Sequence, residues 1–162
     1  MIKVILISIL FITSLISKTF NFSETRYSDA LGSSIKLHGK ISFETNSISI
    51  KYNDSSKSIL YKDSTLILKD SSEIIEIEEQ ESRKVSQYFE LLLLLNSNDN
   101  KLLTQEFEIF IDKNITSLTP KQNMKHFIEK IVLIKEKNKL KELKLFLTNK
   151  DKIIIRIEDE IF

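Results

Sequence analysis

The feature that most constrains the fold of this chain is a two-residue alternation of apolar and polar side chains. It is nearly perfect between Ser34 and Glu44, where Ile, Leu and Phe residues alternate with Ser, Lys and His. The same alternation returns in shorter stretches at residues 20–22, 48–52, 107–111, 143–147 and 153–157. Such stretches indicate strands that bury one face and expose the other, which is typical of antiparallel sheets.

Short groups of polar and turn-forming residues separate these stretches. They lie at Asp29–Gly32, Asn53–Ser56, Asp70–Ser72, Glu136–Lys139 and Thr148–Asp151. Connections this short join strands that are neighbours in a sheet. The sequence therefore predicts about ten antiparallel strands arranged as a meander.

One segment departs from the strand pattern. Within Ser82–Asn96, Val85, Phe89 and Leu92 recur at the spacing of an amphipathic helix, and Ser82 is suited to cap its N-terminus. The apolar run Leu91–Leu95 covers the helix on all sides, so we expect its C-terminal end to be buried.

A sheet of about ten strands curls or closes rather than remaining flat. One helix of about four turns is too small to cover the concave side of such a sheet. Either the sheet closes on itself or an apolar cavity remains, and a cavity is where an apolar ligand would bind. We predict a mainly β fold: a curved antiparallel sheet, or half-open barrel, with a helix packed on its concave face.

Composition excludes several classes of function. The chain has 162 residues, which fits one domain, and its formal net charge is only +1. A nucleic-acid partner is not expected, because no basic excess is available to neutralise phosphates. The absence of cysteine excludes disulfides, thiolate metal sites and a lipid-modified N-terminal cysteine.

The N-terminus has the features of an export signal. Lys3 precedes the apolar run Val4–Ile16, which is shorter than the about 20 residues that a membrane span requires. We predict that residues 1–17 form a signal peptide cleaved after Ser17 and that residues 18–162 form a single exported domain. The alternatives are an uncleaved anchor or a first buried strand.

No catalytic or metal-binding pattern is present in the sequence. His38 and His126, the only histidines, lie far apart, and Gly32 and Gly39 are the only glycines, so there is no glycine-rich phosphate loop. We expect no enzymatic activity, no metal and no cofactor.

The order of the segments resembles the periplasmic outer-membrane lipoprotein carrier family (LolA-like). The similarity covers nearly all of residues 20–162, and it lies in the order of short motifs rather than in any one of them. The segments that carry it are Phe20–Thr25, His38–Glu44, Ile48–Tyr52, Lys62–Leu68, the Leu-rich helix Ser82–Asn96, Lys101–Ile109, Ser117–Lys121 and Ile131–Ile157.

The resemblance implies a carrier that shields lipoprotein acyl chains between the inner and outer membranes. It also implies two partners, an inner-membrane release complex and an outer-membrane receptor, and we expect a monomer. The apolar lining would come from one face of successive strands and from the helix, although the sequence does not show which face. The candidate lipid-binding residues are Ile48, Ile50, Leu66, Leu68, Phe89, Leu92, Leu93, Phe107 and Ile109.

The chain departs from the family pattern at three places. Ser49 and Ile50 stand where the family has an arginine followed by an aromatic residue, and that arginine helps to hold the family's lid closed. Ser64 replaces the glycine of an Asp-Gly turn. Only Lys18 and Thr19 separate the predicted signal peptide from Phe20, so we expect the family's N-terminal plug helix to be missing.

Three alternatives follow. The outer-membrane receptor has a similar fold but is itself a lipoprotein, which the absence of cysteine contradicts. A related carrier could hold another amphiphile, such as a glycolipid or a membrane-targeting factor. An exported, non-enzymatic protein-interaction domain could instead bind a partner through its sheet.

Overall fold

The fold was analysed in a computed structural model that describes residues 18–71, 73–78, 83–97, 100–137 and 139–161. The predicted signal peptide, residues 1–17, and the predicted capping residue Ser82 lie outside the described residues. Within the described ranges, no helix is both long enough and apolar enough to cross a membrane.

Eleven antiparallel strands form one sheet. In chain order they are β1 (Lys18–Ser28), β2 (Ser33–Phe43), β3 (Ser47–Tyr52), β4 (Ser58–Lys62), β5 (Thr65–Lys69), β6 (Ile74–Glu78), β7 (Phe107–Asp112), β8 (Ile115–Pro120), β9 (Ile128–Glu136), β10 (Lys139–Leu147) and β11 (Lys152–Ile161). Two α-helices, α1 (Arg83–Ser97) and α2 (Asn100–Glu106), connect β6 to β7, and a short 3-10 helix (Asn123–His126) precedes β9.

The strand order is β6-β5-β4-β3-β2-β1-β11-β10-β9-β8-β7. The sheet is thus two meanders, β1–β6 and β7–β11, joined where the first strand pairs with the last. The prediction of one continuous meander was wrong at this point, because the pairing of β1 with β11 joins residues that are far apart in sequence. Phe22 pairs with Ile157, and Glu24 pairs with Ile155.

The sheet is curved and unclosed, and α1 packs on its concave face. This confirms the predicted fold class, with eleven strands in place of about ten. Of the two outcomes that the sequence left open, the sheet remains open and leaves a cavity. Helix α1 begins and ends within one residue of the predicted limits.

The concave face carries the apolar side of every alternating strand. Phe22, Ile41, Ile50 and Leu145 are all nearly inaccessible to water. Helix α1 is fixed to the N-terminal meander by Phe89, whose ring stacks on Tyr61 of β4 with the ring centroids 5.6 Å apart. Stacked rings and apolar burial hold the helix over this half of the sheet.

The hairpin turns use left-handed backbone conformations. Gly32 has a φ of +57° in the predicted turn between β1 and β2. Asp63 and Ser64, which join β4 and β5, have φ values of +49° and +62°. Two consecutive residues with positive φ form the hairpin turn that usually carries Asn-Gly or Asp-Gly. The serine therefore occupies a conformation that glycine adopts at lower cost.

Candidate functional site

An apolar cavity of about 360 Å³ lies between the concave face and the helices. It is lined by strands of the C-terminal meander, by β1 and β2, and by the end of α1 and the middle of α2. Among the described residues, none from β3–β6 contributes. The lining residues are Lys18, Phe20, Ile41, Phe43, Leu92, Leu95, Asn96, Leu103, Ile109, Ile111, Thr116, Leu118, Leu133, Lys135, Lys139, Leu140, Leu143, Ile155 and Ile157.

Strand register explains why these side chains meet. Directly opposed residues of antiparallel strands point to the same face. Leu143 of β10 pairs with Leu133 on one side and with Ile155 on the other, so three apolar side chains lie abreast. Phe20 of β1 likewise pairs with Ile41 of β2.

The cavity has a buried floor and an exposed rim. Ile41, Leu118, Leu133 and Leu143 are buried and form the floor. At the rim, Ile111 near the end of edge strand β7 is 68% exposed. The exposed lysines lie at this same end of the sheet, where β1 and β10 begin and β9 ends. The cavity therefore opens to water at one end of the sheet.

Its dimensions fit part of a lipid. Binding sites for small molecules have volumes of about 300–1,000 Å³ and mostly apolar linings. Each methylene group transferred from water into such a lining contributes about 0.8 kcal/mol. A second cleft, of about 330 Å³, shares Lys18, Phe43 and Asn96 with the cavity and could extend the space available to a ligand.

The residues predicted from sequence divide into two groups. Leu92 and Ile109 line the cavity, and Leu93 lines the adjoining cleft. The others lie in the packed core, where all are buried except the half-buried Leu68, and they do not reach the cavity: Ile48, Ile50, Leu66, Leu68, Phe89 and Phe107. A lipid-binding role for any of them stays a prediction.

Most of the cavity lining was not among the predicted residues. Phe20, Ile41, Phe43, Leu143, Ile155 and Ile157 all belong to alternating stretches that the sequence shows clearly. The alternation places them on the apolar face, but it contains no information about which half of that face the helix covers. Phe89 of α1 stacks on Tyr61 of β4, and the cavity lies over β1, β2 and the C-terminal meander.

A buried polar cluster lies further along β1, away from the cavity rim. The Glu24 carboxylate is 1% exposed and accepts hydrogen bonds from the Arg26 Nε at 2.7 Å and the Tyr52 hydroxyl at 2.8 Å. Arg26 also donates to the Tyr52 oxygen at 2.8 Å. Burial of a charge is tolerated when it is paired and hydrogen-bonded in this way.

Two tyrosines in this region have perturbed acidity. Burial and the charge of Glu24 raise the pKa of Tyr52 above its ordinary value of 10.0. The same two causes raise the pKa of Tyr88, on α1. Among the described residues, the buried Tyr88 hydroxyl has no hydrogen-bond partner. Ser49 pairs with Leu60 and lies between the buried Ile48 and Ile50, so it is on the opposite face of β3 from the core.

The described part of the chain holds no group of three or more His, Asp or Glu side chains that could bind a metal ion. The cavity lining likewise contains no histidine or carboxylate. What this arrangement can do chemically is to shelter an apolar chain from water.

The sequence matches no protein-family model, and no curated protein matches it. Solved structures with a similar course of the chain do exist. A LolA superfamily protein from Nitrosomonas europaea is 9% identical, with a TM-score of 0.42 over 91% of this chain and 86% of that one. A DUF1329 family protein from Desulfovibrio piger is 8% identical, with a TM-score of 0.46 over 93% and 87%.

A third structure, from Vibrio parahaemolyticus, is described as an outer membrane lipoprotein-sorting protein domain. It is 6% identical, with a TM-score of 0.45 over 90% of this chain and 85% of that one. The first of the three belongs to the family that the sequence resembles. All three likenesses are too distant to indicate what this chain binds.

Proposed function

We propose that this protein is an exported carrier that takes the apolar chain of a lipid or lipid-anchored protein into its cavity. The observation that supports this is the incomplete cover of the concave face: α1 packs on β3 and β4, and an apolar space that opens at one end remains over β1, β2 and β7–β11. An acyl chain in water needs such a shelter, since each of its methylene groups gains about 0.8 kcal/mol on burial.

In its specific form, the proposal is a periplasmic lipoprotein carrier that follows a cleaved signal peptide. It would receive lipoproteins from an inner-membrane release complex and deliver them to an outer-membrane receptor, without enzymatic activity. The support is the order of sequence segments that resembles the LolA-like family. A carrier for another amphiphile is the second candidate, and the absence of the family arginine at Ser49 favours it.

Native mass spectrometry of the protein purified from its own periplasm tests the proposal directly. Co-purified lipoprotein would support the specific form, and co-purified free lipid would support the second candidate. In a parallel assay, an apolar fluorescent dye should bind the cavity and be displaced by a diacyl lipid. A protein that carries no lipid and binds no dye would overturn the proposal.

The Leu92→Asp variant tests whether α1 lines the cavity. Leu92 is 5% exposed and lines the cavity, so a carboxylate there should abolish dye binding or folding. Val85→Asp is the control, because Val85 lies on the same helix but is 44% exposed. Dye binding and stability that remain unchanged in Leu92→Asp would show that α1 does not line the site.

A further inference from the structure

The rim of the cavity carries an excess of positive charge. Lys18, Lys135 and Lys139 all contribute to the lining, and all three are exposed. The residues that line the cavity include no aspartate or glutamate. Lysine side chains can lay their methylene stems along an apolar wall while the ammonium group remains in water. The rim is therefore apolar on the inside and cationic at the water boundary.

Within the described ranges, no carboxylate forms an ion pair with these lysines. The ion pairs in the described part of the chain involve Arg26, Lys144 and Arg156, and none of the rim lysines. Carboxylates also lie near this end of the sheet, and the end of β11, which pairs with β1, carries several of them. Glu44, in the adjoining cleft, accepts a hydrogen bond from the Ser47 hydroxyl at 2.9 Å.

Glu136 faces Lys139 across the hairpin between β9 and β10 but makes no ion pair with it. Surface lysines elsewhere on the protein are interspersed with acids, and the whole chain has a formal net charge of only +1. The charged residues that line the rim are thus all cationic, on a nearly neutral molecule.

We infer that the ligand of this cavity is an amphiphile with an anionic headgroup, a carboxylate or a phosphate, held at Lys18, Lys135 and Lys139. This inference rests on the proposed function, because it assigns the headgroup of a ligand whose apolar chain occupies the cavity. Charge complementarity supports it: an anion at the rim meets ammonium groups beside a wall of low polarity, where charge interactions are stronger than in bulk water.

Displacement of the apolar dye by amphiphiles of one chain length tests the headgroup. A fatty acid, an alkyl phosphate, an alcohol and an alkyl trimethylammonium are compared below their micelle concentrations. Each exposed ion pair is weak, but three of them act on one headgroup, so the two anions should displace the dye at about tenfold lower concentration than the alcohol. This difference between the anions and the alcohol should become smaller as salt is added, because salt screens the charges.

A triple variant should remove the stronger displacement of the dye by the anions and leave displacement by the alcohol unchanged. The variant combines Lys18→Gln, Lys135→Gln and Lys139→Gln. The matched control replaces Lys36, Lys51 and Lys130 by Gln. These three are exposed, and strand pairing places them on the face opposite to the buried core, so they lie on the convex side and change the net charge equally.

Equal displacement by the acid, the phosphate and the alcohol would overturn the headgroup assignment and leave the carrier proposal intact. Equal loss in the rim and control variants would also overturn it, because a general change of net charge would then explain the effect. Failure of every amphiphile to displace the dye would overturn the carrier proposal as well.

Discussion

At the scale of single residues, the sharpest constraint is at Gly39. This residue pairs with Phe22 on one side and Tyr52 on the other. A Cβ atom at this position would meet the Lys51 carbonyl oxygen at well under 3.0 Å and Cε1 of Phe22 at 3.1 Å. Glycine is therefore required here by space, not by its backbone conformation.

We expect Gly39→Ala to lower the free energy of unfolding by about 3 kcal/mol or to prevent folding, since overpacking strains both strands. Gly32→Ala is the control. Nothing lies within 4 Å of its added Cβ, so only its φ of +57° opposes the change, at a cost of about 1 kcal/mol. Urea unfolding measures both. A smaller loss of unfolding free energy in Gly39→Ala than in Gly32→Ala would contradict the close packing around Gly39.

The buried Glu24 cluster predicts a contrast between two tyrosines. Tyr52→Phe removes the hydroxyl that bonds to both Glu24 and Arg26, so it should cost about 1–3 kcal/mol at neutral pH. Tyr88→Phe removes a buried hydroxyl that has no partner among the described residues, so it should be neutral or stabilising. Equal effects in urea unfolding would contradict this account.

The pH dependence follows from the raised pKa of Tyr52. Since the folded pKa lies above the ordinary value of 10.0, the unfolded chain releases its proton first as the pH rises. The contribution of Tyr52 is thus complete below pH 10 and is lost above it. The stability difference between the native protein and Tyr52→Phe should shrink above pH 10. A stability difference that increases above pH 10 would contradict the predicted direction of the pH dependence.

At the scale of secondary-structure elements, the turn between β4 and β5 contains a strained backbone conformation that a single substitution should relieve. Ser64 has a φ of +62°, at the place where the resembling family has glycine. Ser64→Gly should therefore stabilise the protein by about 1 kcal/mol.

The control for the hairpin is Ser49→Gly, in the middle of β3, which should destabilise by about 0.5–1 kcal/mol because glycine weakens strands. The two substitutions delete the same atoms. Changes of opposite sign in the free energy of unfolding, measured by heat or urea, would therefore be due to the turn conformation of Ser64. Changes of the same sign would show that the positive φ carries no cost.

At the scale of the whole molecule, the two meanders are joined by the pairing of β1 with β11. Eight residue pairs span this junction, from Thr19 with Ile161 to Tyr27 with Lys152. Ile155 of β11 is 3% exposed and also lines the cavity. The last strand of the chain therefore completes both the sheet and the candidate site.

Deletion of residues 152–162 should abolish cooperative unfolding and dye binding, because it leaves β1 and β10 each with an unpaired edge and exposes the core. A synthetic peptide of residues 152–162 added in trans should restore both, whereas a scrambled peptide should not. An unchanged unfolding midpoint in the truncated chain would show that the junction is dispensable.

The sequence by itself determined the fold class, five of the turns, the single long helix and the alternation of apolar and polar residues along the longer strands. These are local properties, because strand alternation and helical spacing are set by residues within one or two turns of one another. Only the tertiary structure decided that β1 pairs with β11 and that the cavity lies over β1, β2 and the C-terminal meander. Phe89 stacks on Tyr61 of β4, and Ile48, Ile50 and Leu66 of the neighbouring strands become core. The position of a helix on a sheet depends on contacts between residues that are distant in sequence. The alternation along one strand contains no information about those contacts.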